Sequence, residues 1–118
     1  MILKLNNKDT NFYNYMGKIF GSRLIEKQVN DRIYDDSNKE WYLYVENEKV
    51  MAFISLSNSV IKNVYTIKDN YLKELLKQIK KDVKITPSIV TNVYKEVYED
   101  CEFKIDDNYN YKNFLVIY

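Results

Sequence analysis

The sequence predicts one α/β domain of the α+β type, with a mixed, mostly antiparallel central sheet and helices on both faces. Its 118 residues have the length of a single domain, and no linker or repeat divides residues 1–118. Three consecutive runs of aromatic and β-branched residues, separated by short polar turns, are typical of an antiparallel meander. Alternating strand-like and helix-like segments follow it, which indicates a mixed sheet packed against helices.

A short strand and two helical segments begin the chain. Ile2, Leu3 and Leu5 predict the strand. Asp9 or Thr10 can cap the first helix. Apolar residues at helical spacing would form its buried face, namely Phe12, Met16, Ile19 and Phe20. The second helix runs from Ser22 to about Asn30 and would bury Leu24, Ile25 and Val29.

The meander is the clearest β signal in the chain. Its strands are predicted over Trp41 to Val45, Val50 to Leu56 and Val60 to Ile67. The polar segments 46–49 and 57–59 suit hairpin connections between them.

The C-terminal half alternates helices and strands. Asp69 or Asn70 is predicted to cap the most regular amphipathic helix, and Val83 to Ile85 reads as a short strand. A second amphipathic helix would carry Ile89, Val90, Val93, Tyr94, Val97 and Tyr98. Strands over Phe103 to Ile105 and Phe114 to Tyr118 would close the sheet.

The composition excludes several classes of function. The chain has no histidine and one cysteine, so Ser-His and Cys-His nucleophile pairs are absent and no metal site is expected. A net charge of +1 with interleaved signs argues against nucleic-acid binding. No apolar run reaches the roughly 20 residues that cross a bilayer, and no signal peptide is recognisable, so a cytoplasmic location is the default expectation.

Two segments and the order of elements resemble the GCN5-related N-acetyltransferases. The hairpin Trp41-Tyr-Leu-Tyr-Val-Glu-Asn-Glu-Lys-Val-Met-Ala-Phe-Ile resembles the family's second and third strands, with Ala52 in place of a glycine. The segment from Asn92 to Phe103 resembles the terminal pattern N-x-x-A-x-x-L-Y-x-x-x-G-F, with Glu102 in place of its glycine and Asn92 displaced by one position. The resemblance implies the same fold from end to end.

The departure from the family lies at its cofactor loop. Family members follow the fourth strand with (Q/R)-x-x-G-x-(G/A), whose backbone amides hold the pyrophosphate of acetyl coenzyme A. Here that stretch has no glycine, is shorter, and contains Asp69. If the cofactor binds at all, the resemblance implies contacts with Val64, Tyr65, Thr66, Ile67, Asn70 and Tyr71. We expect a degenerate member that binds no cofactor.

Tyrosines supply the remaining candidate residues. Tyr98 aligns with the family tyrosine that protonates the leaving thiolate, and it also lies on a predicted buried helix stripe. Seven others could form a binding interface, because exposed tyrosines are enriched at interfaces, namely Tyr13, Tyr15, Tyr34, Tyr42, Tyr44, Tyr109 and Tyr111.

The sequence therefore favours a non-catalytic domain that binds another protein, either a host factor or its own copy. Frequent Tyr, Asn, Lys and Ile, which have A+T-rich codons, indicate a low-GC bacterium or one of its phages or mobile elements as the source. The alternative is an acetyl-coenzyme-A-dependent N-acetyltransferase acting on an amine, and a third reading is a virion or assembly component.

Overall fold

The computed structural model describes residues 1–108 and 111–118 and contains two sheets with helices on both faces. In that part of the chain the strands are β1 (Ile2–Leu5), β2 (Glu40–Glu46), β3 (Lys49–Ser57), β4 (Val60–Thr66), β5 (Ser88–Thr91), β6 (Ile105–Asp106) and β7 (Phe114–Ile117). The helices are α1 (Phe12–Met16), α2 (Arg23–Val29), α3 (Asp69–Asp82) and α4 (Lys95–Asp100), and a 3-10 turn over Asn92–Tyr94 precedes α4.

The two sheets meet where β4 and β5 begin. The first has the antiparallel order β1-β2-β3-β4, and the second has the order β5-β7-β6. The amide of Thr86 donates to the carbonyl of Ser59 at 2.9 Å, and the amide of Ile61 donates to Ser88 Oγ at 2.8 Å. These contacts align β5 with β4 in the same direction, so the combined sheet is mixed, as predicted.

The two predicted hairpins are confirmed. Asn47 and Glu48 have φ of 49° and 63°, and Asn58 and Ser59 have φ of 51° and 65°. Positive φ at both central residues is typical of the type I′ turn, whose twist matches that of the flanking strands. The meander therefore folds with two-residue loops and a nearly continuous register.

The core lies on both faces of the first sheet. On one face, Phe12 of α1 packs near Trp41, and the Trp41 ring lies 5.6 Å from that of Phe53 with edge-to-face geometry. On the other face α3 covers the sheet with its apolar stripe, namely Tyr71, Leu72, Leu75, Leu76 and Ile79. The stripe follows the 3.6-residue period predicted from the sequence.

The N-terminal helices are shorter and less buried than predicted. Helix α1 ends at Met16, and Gly17 follows it so close to the Tyr13 carbonyl that a Cβ would lie 2.6 Å from that oxygen. Helix α2 begins after Ser22, whose Oγ accepts from a backbone amide in the first turn. The predicted burial of Leu24 is wrong: its side chain is 70% exposed, and only Val29 of α2 is fully covered.

Three predictions in the C-terminal half are corrected. Residues 83–85 form no strand, and Ile89 and Val90 lie in β5 instead of a helix, because they pair with β7. Lys68, in extended conformation, is the N-cap of α3, so neither Asp69 nor Asn70 caps this helix. Among the described residues, no helix has both the length and the apolar composition needed to cross a membrane.

Candidate functional site

The junction between β4 and α3 is a tight turn of two residues. Thr66 ends β4 and Asp69 begins α3. The amide of Ile67 donates to the carbonyl of Met51 at 3.0 Å, which extends the sheet by one more residue. The amide of Lys68 donates to Thr66 Oγ1 at 3.3 Å, and that hydroxyl donates to the Lys68 carbonyl. The Thr66 hydroxyl therefore bonds to both backbone polar groups of Lys68.

The residues predicted to contact a cofactor form one continuous stretch but differ in burial. Val64, Tyr65, Thr66 and Tyr71 are buried, whereas Ile67 and Asn70 are exposed. The Tyr71 hydroxyl donates to Glu46 at 3.1 Å, which raises the pKa of this tyrosine and ties the start of α3 to the end of β2. Of these six side chains, those of Ile67 and Asn70 are therefore the most accessible to a ligand.

The gap between β4 and β5 is bridged by a tyrosine side chain. The amide of Thr66 donates to the hydroxyl of Tyr94 at 3.1 Å, and the same hydroxyl donates to the Thr66 carbonyl at 3.3 Å. Tyr94 is 9% exposed, and burial raises its pKa. One phenol thus occupies both backbone groups that the end of β4 would present to a ligand between the strands.

Tyr98 lies deeper in the same region. Its side chain is 0% exposed, and its hydroxyl donates to the carbonyl of Thr91 at 3.1 Å. Burial raises the pKa of Tyr98 well above 10.0. This geometry agrees with packing on the buried helix stripe; a role as the acid for a leaving group stays a prediction. Nearby, burial also raises the pKa of the Cys101 thiol, which favours its unreactive form.

The acetyl coenzyme A site implied by the resemblance can be tested against these contacts. A pyrophosphate at a helix N-terminus needs several free backbone amides and no nearby negative charge. Here the amides of Thr66 and Lys68 are used internally, and the first turn of α3 contains the carboxylate of Asp69. The amides of Thr66 and Lys68 are therefore not free to bind a phosphate, and the Asp69 carboxylate opposes its charge.

The predicted interface tyrosines divide by exposure. Tyr13, Tyr34 and Tyr111 are exposed, and Tyr15 and Tyr44 are half-buried. Tyr42 is wrong as an interface residue, because it is 1% exposed and its hydroxyl donates to Asp82 at 2.9 Å beneath α3. Tyr109 lies outside the described residues. The exposed tyrosines come from separate segments and do not form a continuous strip in sequence.

Sequence reasoning missed a buried lysine at the start of β2. Lys39 is 5% exposed, and its Nζ donates to the carbonyl of Tyr34 at 2.8 Å and to Asn63 Oδ1 at 3.0 Å. Burial lowers the pKa of Lys39, and three nearby aspartates oppose that shift. The available signal was its two-residue spacing from Trp41, which places it on the inward face of the strand.

Two adjoining cavities lie beside α2. One, of about 580 Å³, lies between α2 and β7 and is lined by Arg23, Glu26, Lys27, Arg32 and Phe114 among others. The second, of about 310 Å³, contains Lys39 and Lys62 and shares Arg32 with the first. Within the described ranges, no three carboxylate or thiol side chains converge as a metal site would require.

The chain resembles known proteins in its structure but not in its sequence. No sequence model of a known family matches the chain, and no curated protein matches it in sequence. Solved structures do match, two of them along nearly the whole length. ElaA from Escherichia coli has a TM-score of 0.60 at 12% identity, covering 99% of this chain and 96% of that chain.

The second is N-acetyltransferase PseH from Campylobacter jejuni in complex with acetyl coenzyme A. Its TM-score is 0.53 at 16% identity, with coverage of 99% and 96%. The identities are low, so these likenesses concern the fold. The chain has the fold of the GCN5-related N-acetyltransferases, as the order of its elements predicted.

Proposed function

We propose that this domain uses the acetyltransferase fold to bind another protein and does not transfer acetyl groups from acetyl coenzyme A. The observation that carries the proposal is the double hydrogen bond between the Tyr94 hydroxyl and the backbone of Thr66. It occupies the space and the donors between β4 and β5 that a cofactor arm would use in this fold.

Opening that space would be costly. The Thr66 amide is buried, and a buried donor that loses its partner costs about 1–3 kcal/mol. A cofactor would have to replace both of the bonds that Tyr94 makes, and would then meet the carboxylate of Asp69 near its phosphates. These costs reduce affinity before any favourable contact is counted.

A protein partner, in contrast, can bind to exposed side chains without displacing Tyr94. Tyr13 and Tyr34 are both more than half exposed, on segments that flank the first sheet. Tyrosine supplies contact area with few rotatable bonds, which lowers the entropic cost of association. The partner is a host factor or a second copy of this chain, and light scattering at micromolar concentration separates the two.

Calorimetry with acetyl coenzyme A tests the proposal. We expect no heat of binding with the intact chain. Tyr94→Phe removes the bridging hydroxyl, and Tyr65→Phe serves as its control, since the Tyr65 hydroxyl has no hydrogen-bond partner among the described residues. Binding at micromolar concentration by the unaltered chain would overturn the proposal.

A second candidate is an acetyl-coenzyme-A-dependent N-acetyltransferase acting on an amine. One observation favours it: a structure of the same fold contains acetyl coenzyme A. Tyr98→Phe should then lower turnover steeply while the far-ultraviolet circular dichroism stays unchanged. Equal turnover would remove Tyr98 from this role.

A further inference from the structure

A groove beside α2 contains cationic side chains without partners. We call it the α2 groove and define it by Arg23, Lys27, Arg32, Lys62, Tyr34 and Phe114, which line the two adjoining cavities described above. All four cationic residues are exposed. None of them makes an ion pair or a side-chain hydrogen bond to any residue in the ranges 1–108 and 111–118.

The carboxylates of the same walls are already engaged with the protein. Glu26 Oε2 accepts from the amide of Ile33 at 2.8 Å, and Asp31 Oδ1 accepts from the amide of Arg32 at 2.8 Å. Asp36 accepts from the amide of Asn38 at 3.0 Å and also lies 4.0 Å from a buried lysine. Each acid thus accepts a hydrogen bond from a nearby backbone amide, whereas the four exposed cations bond to none of the described residues.

We propose that the α2 groove binds an acidic segment of a protein partner. The inference deepens the proposed function, on which it rests, by naming the surface and the chemistry of the partner. Arginine pairs with carboxylates through two parallel hydrogen bonds, and Arg23 and Arg32 both line the first cavity with no side-chain bond to a described residue. Phe114 and Tyr34 supply apolar contact area beside them.

The same carboxylates select a peptide over a nucleic acid. A nucleic-acid strand has a phosphate at every step and needs a basic track without interruption. The lining of the two cavities also contains Glu26, Asp31 and Asp36, so a regular phosphate chain would meet repulsion there. A peptide can place its carboxylates only opposite the cations.

Fluorescence anisotropy with a labelled peptide in which glutamates alternate with glycine and serine tests the groove, with oligothymidylate of equal charge as the competing probe. We expect the intact chain to bind the peptide, more weakly as salt rises because the contacts are ionic. Arg32→Glu should reduce affinity at least about tenfold, which corresponds to about 1.4 kcal/mol. Lys84→Glu, the same charge change at an exposed site away from the groove, should leave affinity within about twofold.

Circular dichroism verifies that both variants fold, and Arg32→Gln repeats the test without reversing the charge. The proposal is overturned if the peptide does not bind, if Lys84→Glu weakens binding as much as Arg32→Glu, or if the oligonucleotide binds more tightly. These outcomes are independent of the calorimetry. Peptide binding that Arg32→Glu abolishes supports the groove even if acetyl coenzyme A also binds, in which case only the proposed function fails.

Discussion

The gap between β4 and β5 and the α2 groove differ in how their polar side chains are bonded. In the gap, the hydroxyls of Tyr94 and Tyr98 bond to backbone groups of Thr66 and Thr91, so both phenols are satisfied within the protein. In the groove, Glu26 and Asp31 accept from backbone amides, whereas the exposed cations bond to no residue that the structure describes.

The difference indicates where this domain can bind. A buried polar group with its partners in place stabilises one conformation, and a ligand that displaces the partner must replace each bond. An exposed cation without a partner exchanges only water when a carboxylate arrives. The polar groups in the gap are therefore bonded within the protein, whereas the cations beside α2 are the ones exposed to solvent.

The largest effect is expected at the floor of the groove. Asn63→Leu would remove the oxygen that accepts from Lys39 Nζ and leave a buried charge with fewer partners. Loss of a partner of a buried ion costs about 3–5 kcal/mol, measurable as a lower urea midpoint. Lys39→Met removes the charge itself, and Ser55 Oγ still donates to Asn63 Oδ1, so it should cost less than about 1.5 kcal/mol.

Equal losses in these two variants would mean that Lys39 acts through packing and not through its charge. Lys39 also adds a pH dependence. Its pKa is lowered by burial, so between that value and 10.5 the unfolded chain binds the extra proton and stability rises with pH. This rise should be absent from Lys39→Met.

The next effect concerns the bridge across the gap. Tyr94→Phe leaves the buried amide of Thr66 without its acceptor, and we expect a loss of about 1–3 kcal/mol in the free energy of unfolding. Tyr65→Phe removes a hydroxyl that bonds to no described residue and should change stability by less than about 0.5 kcal/mol. Urea unfolding of both variants measures the difference. Indistinguishable midpoints would mean that the bridge is not maintained in solution.

The third effect is a pH dependence of stability that arises from Tyr98, in the region of the gap. Burial raises the pKa of Tyr98 above its ordinary 10.0, so above pH 10 the unfolded chain loses a proton that the native chain keeps. Stability should therefore fall as pH rises, by up to about 1.4 kcal/mol per pH unit from this residue. Tyr98→Phe should flatten the fall by that amount in unfolding curves measured above pH 10. An unchanged slope would mean that the hydroxyl reaches solvent.

The sequence predicts best those parts of the fold whose physical cause is local. The two hairpins follow from alternating strands and short polar turns, and α3 follows from one apolar stripe. The terminal motif also transfers: Glu102, which stands where the resemblance implies glycine, has φ of 65°, in the left-handed region that glycine favours. The backbone shape is kept although the glycine is not.

The parts that could not be predicted depend on partners distant in sequence. Ile89 and Val90 suit a helix or a strand equally, and only pairing with β7 decides between them. The burial of Lys39 depends on Asn63, 24 residues later, whose Oδ1 accepts a hydrogen bond from the lysine ammonium group. The Tyr94 bridge requires two strands to meet at one angle, which no local pattern encodes.

The smallest effect is expected on the outer face of α2, and it tests whether a partner covers that face. Leu24 is 70% exposed, so Leu24→Ala should change the free energy of unfolding by less than about 0.5 kcal/mol. Val29, on the buried side of the same helix, is the matched control, and Val29→Ala should cost about 2 kcal/mol through lost burial and the space left behind. Thermal unfolding of both measures the contrast. A loss at Leu24 that varies with protein concentration would show that a second copy covers this face of α2, and the groove beside it would then belong to a self-association surface.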